Sequence, residues 1–416
     1  MNNAMLTSLM DQAGAPAHPL LFLVLGVVTF ALHIVAVQVM LGTLGLALWG
    51  AWRQTPAWQH LSHTLMMTAK VAVGFAVVLG VAPLLFVQVI YDGFWYTSNV
   101  LSAWWLMAFI VILIVAYLGL YRAYGLNHQY AADGRPLMRE GPVQGAKWLL
   151  TSLVLLLVCG FIIHAVTNQA LFPERWMNWY APNGDIDPSG RALHYWHVGR
   201  LGFFLVLALP VTAAWLFGLR RYLLNRGETD EALLTTIEST AHRLGLVGGV
   251  LALVFAILWM VTLPESMQWF RTSIWAYVGL IPLAFFVLMS PIQRKRRLCT
   301  PCNYLAFGMS IVMVIVLAAL REVLRYGTLL HAYGWDALNY KVNMDWGSTS
   351  VFFATFLIIG VLNVLYLTLL AWRSGQTEGL YTPSASVNTL GRCAVLSLLA
   401  WVVLYFGIGI TFVGSH

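Results

Sequence analysis

His164 and His197 close and open two apolar segments on either side of one polar stretch, GFIIHAVTNQALFPERWMNWYAPNGDIDPSGRALHYWHVGRLGFF, residues 160–204. A histidine at the edge of the hydrocarbon loses hydration, so it pairs with another polar group, lines water, or ligates a metal or haem. Glu322 is the second focus of chemistry. It lies in the apolar run SIVMVIVLAALREVLRYG with Arg321 beside it and Arg325 one turn further on. One reading is an i, i+3 ion pair with Arg325 at a helix end. The cost of a carboxylate inside a membrane makes function the default reading. His33, inside the first apolar run, and His194, in the polar stretch, complete the set near one side of the bilayer. His60, His63, His128 and His242 fall in or beside the opposite connecting segments and read as solvated surface.

These residues must be held by membrane helices. The chain of 416 residues is 60% hydrophobic and 9% charged, far below the roughly 25% charged fraction of soluble domains. Apolar runs of about 18 residues or more recur along it, each long enough to cross the hydrocarbon as a helix, and the short alternating segments of a β-barrel are absent. We expect an all-α, polytopic bundle with ten helices near 20–48, 66–91, 103–122, 147–168, 196–218, 243–263, 273–291, 303–324, 350–372 and 392–412. Residues 1–19 read as an external segment without a basic leader region, 20–412 as one transmembrane domain and 413–416 as a tail.

The net charge of +7 follows the membrane rather than a nucleic-acid surface. Sixteen cations, among them Arg53, Lys70, Arg122, Arg135, Arg139, Lys147 and the run Arg294, Lys295, Arg296, Arg297, fall on one side and seven on the other. The positive-inside rule then sets both termini outside, in the periplasm of a bacterium with the chain in the inner membrane. His164, His197 and Glu322 come to the outer side, and His33 to the outer half or near the middle of the first helix. Trp95, Tyr96, Trp104, Trp105, Trp176, Trp179 and Tyr180 read as interfacial anchors. The four cysteines form no disulfide framework. Cys299 and Cys302 make a CxxC without the following histidine of a c-type haem site and without a second pair for zinc, and read as structural.

No phosphate loop, HExxH or nucleophile elbow stands where it would carry chemistry. What remains suits haem: histidine for the axial nitrogen, arginine for the propionates, and apolar helices to set the dielectric. A transporter or a structural subunit is the reading from another class, in which the same polar groups line a path. Neither an inverted repeat nor a matched pair of interrupted helices supports it.

Several segments resemble the large haem-bearing subunit (subunit I) of cytochrome bd quinol oxidases. LHIVAVQVMLG, residues 32–42, is similar to the family's first-helix motif, and its ligand falls on His33. The stretch from Lys70 to Asn99 resembles the next family helix in its lysine, glycine rhythm and aromatic exit. Asn168, Pro173 and Trp176 resemble the approach to the low-spin haem histidine, which falls on His197, and Glu322 resembles the carboxylate ligand of the high-spin b haem. The resemblance implies one to three b-type haems, with His33, His197 and Glu322 as iron ligands, and a second membrane subunit. His164 stands as a further ligand or propionate partner, and Arg321 and Arg325 as propionate partners.

The chain also departs from that family. Gln88 stands where the family has a membrane glutamate, and GRQPW is absent, with Asp345, Trp346 and Gly347 in a similar place. Residues 264–272 alone occupy the position of the long quinol loop, and Met267 in them reads as an interfacial side chain before it reads as a haem ligand. A tenth helix exceeds the family's nine. The expectation is therefore a membrane cytochrome that exchanges electrons with a c-type cytochrome or the quinone pool at the outer side. Oxygen reduction ranks second.

Overall fold

The computed structural model describes residues 6–11, 14–53, 55–130, 136–138, 141–344, 346–375 and 381–414. Arg135, Arg139 and Asp345 lie outside the described residues. Nine helices among those described are long and apolar enough to cross a membrane: Pro19–Ala51, Pro56–Ile90, Ala103–Asn127, Ala146–Gln169, Val198–Asn225, Glu231–Val261, Ile274–Lys295, Thr300–Tyr333 and Ala385–Leu404. These are the first to eighth and the tenth of the expected segments. The ninth, 346–375, is helical too, but a π-helical turn over Thr355–Gly360 interrupts it and leaves a shorter apolar run, Leu357–Leu370. The protein is an all-helical, multi-pass membrane bundle. Its strands, among the described residues, form one small antiparallel ribbon that pairs His128 with Met138.

The chain divides into two compact units. The larger comprises Met1–Arg221 and Asp230–Lys341, and the smaller Tyr222–Thr229 and Val342–His416. In the smaller unit the last two helices pair, with the Trp401 indole donating to Thr355 Oγ1 at 2.6 Å. In the larger unit apolar side chains point outward in number, Val78 and Val111 at 71% and 62% exposure among them. Such surfaces are liabilities in water and ordinary against lipid.

Several helices run further than the hydropathy pattern implies, and the extensions move the site residues. Pro56 opens the second helix at its first turn, where proline's missing N–H has no cost. Lys70 therefore lies well inside that helix, and its ammonium sits 3.6 Å from the centre of the Tyr124 ring. The fourth helix continues past His164 to Gln169. The eighth runs to Tyr333, so Glu322 lies about three turns inside it rather than near its end.

Burial also corrects four readings. His63 and His128 are 3% and 7% exposed, not solvated surface. The His128 ring stacks on Tyr124 at 3.9 Å and meets the His63 ring edge-on at 6.1 Å. Trp95 and Trp176 are buried rather than interfacial, because Trp95 packs with Ile162 and Val166 and Trp176 meets Phe94 edge-on. Tyr96 and Trp104 remain exposed, as anchors should be.

Glycine sets the spacing of the sixth helix, Glu231–Val261. A Cβ on Gly249 would lie 2.5 Å from the Phe286 carbonyl oxygen, and one on Gly248 would lie 2.6 Å from Pro210 Cδ. Backbone approaches of this kind hold membrane helices together without a hydrophobic driving force. Gly249→Ala is expected to destabilise the protein by about 1–3 kcal/mol through overpacking. Gly45→Ala, with nothing within 4 Å of its Cβ, is the control and should be neutral or stabilising. Thermal unfolding in detergent checks the pair.

Candidate functional site

The polar stretch that separates the fourth and fifth helices is stapled at its two ends by hydrogen bonds among the site residues. His164 and Asn168 lie four residues apart on one helical face. Asn168 Nδ2 donates to the His164 carbonyl at 2.8 Å and to its Nε2 at 2.9 Å. The His197 backbone N–H, from the far end of the stretch, donates to the same Nε2 at 3.1 Å. His197 caps the fifth helix, its Nδ1 accepting from the Arg200 N–H at 3.1 Å while Nε2 meets the Thr262 carbonyl at 2.9 Å. With Nδ1 an acceptor, the hydrogen bonds assign the ring proton to Nε2. Both ring nitrogens of His197 thus have protein partners.

One turn into the fifth helix, Arg200 donates through Nη1 to Asn168 Oδ1. Arg200 is buried, and a neutral amide is the partner of its charge. Gln169 braces the same stretch, with Oε1 accepting from the His194 N–H at 3.2 Å and Nε2 donating to the Ser98 carbonyl and Ser102 Oγ, each at 2.8 Å. The His194 ring stacks on Trp179 at 5.3 Å. Burial lowers the His194 pKa, against the opposing hydrogen bond to the Leu101 carbonyl, and keeps the ring neutral.

The eighth helix brings the second half of the site. Glu322, 9% exposed, accepts from Tyr91 Oη at 2.7 Å and from Arg325 Nε at 3.2 Å on Oε1. Arg325 Nη2 reaches Oε2, completing a bidentate pair, and Arg321 Nη1 lies 3.9 Å from Oε2. The i, i+3 ion pair of Glu322 with Arg325, the alternative to a functional reading of this carboxylate, therefore forms, inside the helix rather than at its end. Arg325 also covers the Tyr91 ring at 4.4 Å, and Arg321 covers the Phe30 ring at 4.0 Å.

His197, Arg200, Met267, Arg321 and Arg325 converge on one small cavity, with Asn168, Tyr195 and Trp259 completing much of its wall. Met267 is buried there, on the 3-10 helix Glu265–Thr272, and not interfacial. Three guanidiniums thus face one another with Glu322 as the carboxylate that two of them touch. Buried charges are stable when paired, so this constellation has an unmet demand for negative charge.

His33 does not line the cavity. It lies one turn beyond Phe30 on the first helix, and its Nδ1 meets the Ala76 carbonyl of the second helix at 2.8 Å. A Cβ on Gly80 would come within 2.9 Å of the His33 ring. Its Nε2 has no hydrogen-bond partner among the described residues, and an N–H fixed by a carbonyl opposite a free nitrogen is the usual posture of a metal-ligating histidine. Gln88 is half-buried in the second helix.

The residues present suit a haem in their chemistry: a free imidazole nitrogen, a thioether that lines one cavity with a second histidine, and guanidiniums for two propionates. His197 and Glu322 would each exchange a protein partner for iron. The cavity, about 20 Å³, has room for one water molecule, so a larger group requires the lining side chains to part.

Sequence reasoning overlooked Arg200 and Tyr91. Arg200 counted only as one of seven outer cations, yet an arginine three residues after His197 in the apolar run VGRLGFFLV already shares that histidine's helical face. Tyr91 carries no such signal, because the helix break that turns its hydroxyl toward Glu322 is tertiary.

No family model matches the sequence, and no curated protein matches it. The fold does have a counterpart in a solved structure, described as that of bd oxidase from Geobacillus thermodenitrificans, with a TM-score of 0.60 over 86% of this chain and 99% of the other. The chain has a bd oxidase-like fold. At 13% identity, the bd oxidase-like architecture is what the two share. It supports a distant bd-like relationship at the level of the fold.

Proposed function

We propose that this chain is an integral membrane b-type cytochrome that carries respiratory electron transfer within a larger complex. The observation that supports it best is the cationic surplus of Arg200, Arg321 and Arg325 at a buried cavity that His197 and Met267 also line. In this reading His197 and Met267 face a low-spin haem, and His33 and Glu322 serve the remaining haem or haems. His164 fixes the start of the fifth helix through the His197 N–H, and the three arginines take the propionates. A bound b-type haem supplies one-electron chemistry at its iron. The protein's own part is to hold that group dry, orient it and offset its negative charge. All eight residues belong to the larger unit.

The charge asymmetry orients the chain in a bacterial inner membrane with both termini periplasmic. Electrons then pass at the outer side, with a c-type cytochrome as the first choice of partner over the quinone pool, since the segment 264–272 leaves no room for a long quinol loop. A second membrane subunit completes the complex.

Arg200→Met tests the propionate role. Methionine removes a buried charge whose partner is a neutral amide, so the haem-free protein should be as stable or more so. Haem affinity should fall about 10- to 100-fold, the worth of a charged hydrogen bond. Haem retention on dilution reads the first effect and thermal unfolding the second.

The free Nε2 of His33 favours a second reading, that of an oxygen-reducing bd-type oxidase subunit. A carbon monoxide difference spectrum of the reduced protein separates the two. An absent response supports electron transfer through saturated iron, and a clear response moves the assignment to oxygen reduction. Protein without haem would return the site to the transporter or structural reading.

A further inference from the structure

We propose that Cys299 and Cys302 form a reversible redox site, a dithiol–disulfide couple that exchanges with soluble thiols. The two sulfurs are joined in this structure. The sequence reads Cys-Thr-Pro-Cys, with Cys299 capping the eighth helix and Pro301 in its first turn. The N-terminal end of a 34-residue helix carries partial positive charge, which favours a thiolate at the cap. Arg294, Lys295, Arg296 and Arg297 stand immediately before it, all exposed. Glu238, the carboxylate that reaches this cluster, is occupied by Arg297 at 3.5 Å and Arg220 at 2.9 Å. Both cysteines are half-buried, so a small thiol can reach them.

A structural role accounts poorly for this pair. Cross-linking residues three apart removes little loop entropy from the unfolded chain, since that gain grows with loop length. Hydrogen bonds already hold the turn. The Cys299 N–H donates to the Arg296 carbonyl at 2.9 Å, Gln293 Nε2 donates to the Cys302 carbonyl at 3.1 Å, and Asn303 Nδ2 donates to Gln293 Oε1 at 2.8 Å. The turn therefore survives reduction, as a cycling couple requires. The charge asymmetry assigns this end to the cytoplasm, where disulfides, when present, are mostly transient and catalytic or redox-sensing. The test does not depend on that assignment or on haem.

In the exchange an external thiolate attacks Cys299 Sγ and forms a mixed disulfide. The bond to Cys302 breaks, and Cys302 Sγ leaves with the electron pair and takes a proton. A second external thiolate then attacks the external sulfur of the mixed disulfide and releases Cys299. Two electrons and two protons pass to the protein, and two thiols leave as one disulfide.

The experiment uses the intact protein in detergent, carrying Cys393→Ser because Cys393 is exposed while Cys159 is buried. Dithiothreitol should reduce the pair within minutes without unfolding the protein, and oxidised glutathione should restore it, both read by maleimide mass shift. Adding Cys302→Ser should leave a Cys299 that captures oxidised glutathione about tenfold faster than Cys302 does in the Cys299→Ser protein. Reduction only after denaturation overturns the proposal. So does equal capture by the two variants, which a structural pair would give.

Discussion

Glu322→Ala is expected to lower the unfolding free energy by about 3–5 kcal/mol, the cost of leaving buried cations without their counter-ion. The carboxylate takes the Tyr91 hydroxyl, both arms of Arg325 and the nearer nitrogen of Arg321. Removing it leaves Arg321 and Arg325 facing Arg200 across one cavity. Adding Arg325→Met to the Glu322→Ala protein should recover a large part of the loss, because the penalty comes from the stranded charge rather than from the lost contact. Equilibrium unfolding of the single and double variants measures both. A loss below about 1 kcal/mol would mean that water already reaches the pair, as it does for surface salt bridges. If Glu322 also serves haem iron, the single variant loses haem as well as stability.

His33→Ala should do the reverse, with a large effect on haem and a small one on folding. Among the described residues the side chain makes one hydrogen bond, to the Ala76 carbonyl at 2.8 Å, worth about 0.5–1.5 kcal/mol. Its Nε2 is the atom offered to iron, so haem content should fall by one equivalent while the melting profile shifts only slightly. Pyridine haemochrome quantification beside thermal unfolding checks the split. Unchanged haem content would remove His33 from the ligand set and leave the site to the His197 cavity.

The contrast between these residues also shows what could be read from the sequence. Hydropathy located all ten helical segments, because burial in lipid demands long apolar runs. It did not locate their ends. The second helix begins at Pro56 and the eighth continues to Tyr333, since helices outlast the hydrocarbon wherever a cap or a packed face supports them. His197 at a helix start and the Glu322–Arg325 pair were legible because both are local, fixed by spacing along one helix. Arg200 with Asn168, Tyr91 with Glu322, and Met267 at the cavity are contacts between helices, which no periodicity encodes. The burial of His63 was missed for the same reason, because its ring meets His128 from the end of another helix. Charge counting sorted Arg200 by side of the membrane, and so it hid that this arginine is buried.

The central claim is that the cationic cavity and the histidines beside it hold b-type haem. The most direct measurement is a dithionite-reduced minus oxidised absorption spectrum of the purified protein, with pyridine haemochrome quantification of the same sample. The account predicts b-type haem at one or more equivalents per chain, with α and Soret bands that sharpen on reduction. Protein purified in its folded state from haem-replete cells, without haem at meaningful stoichiometry, would contradict it.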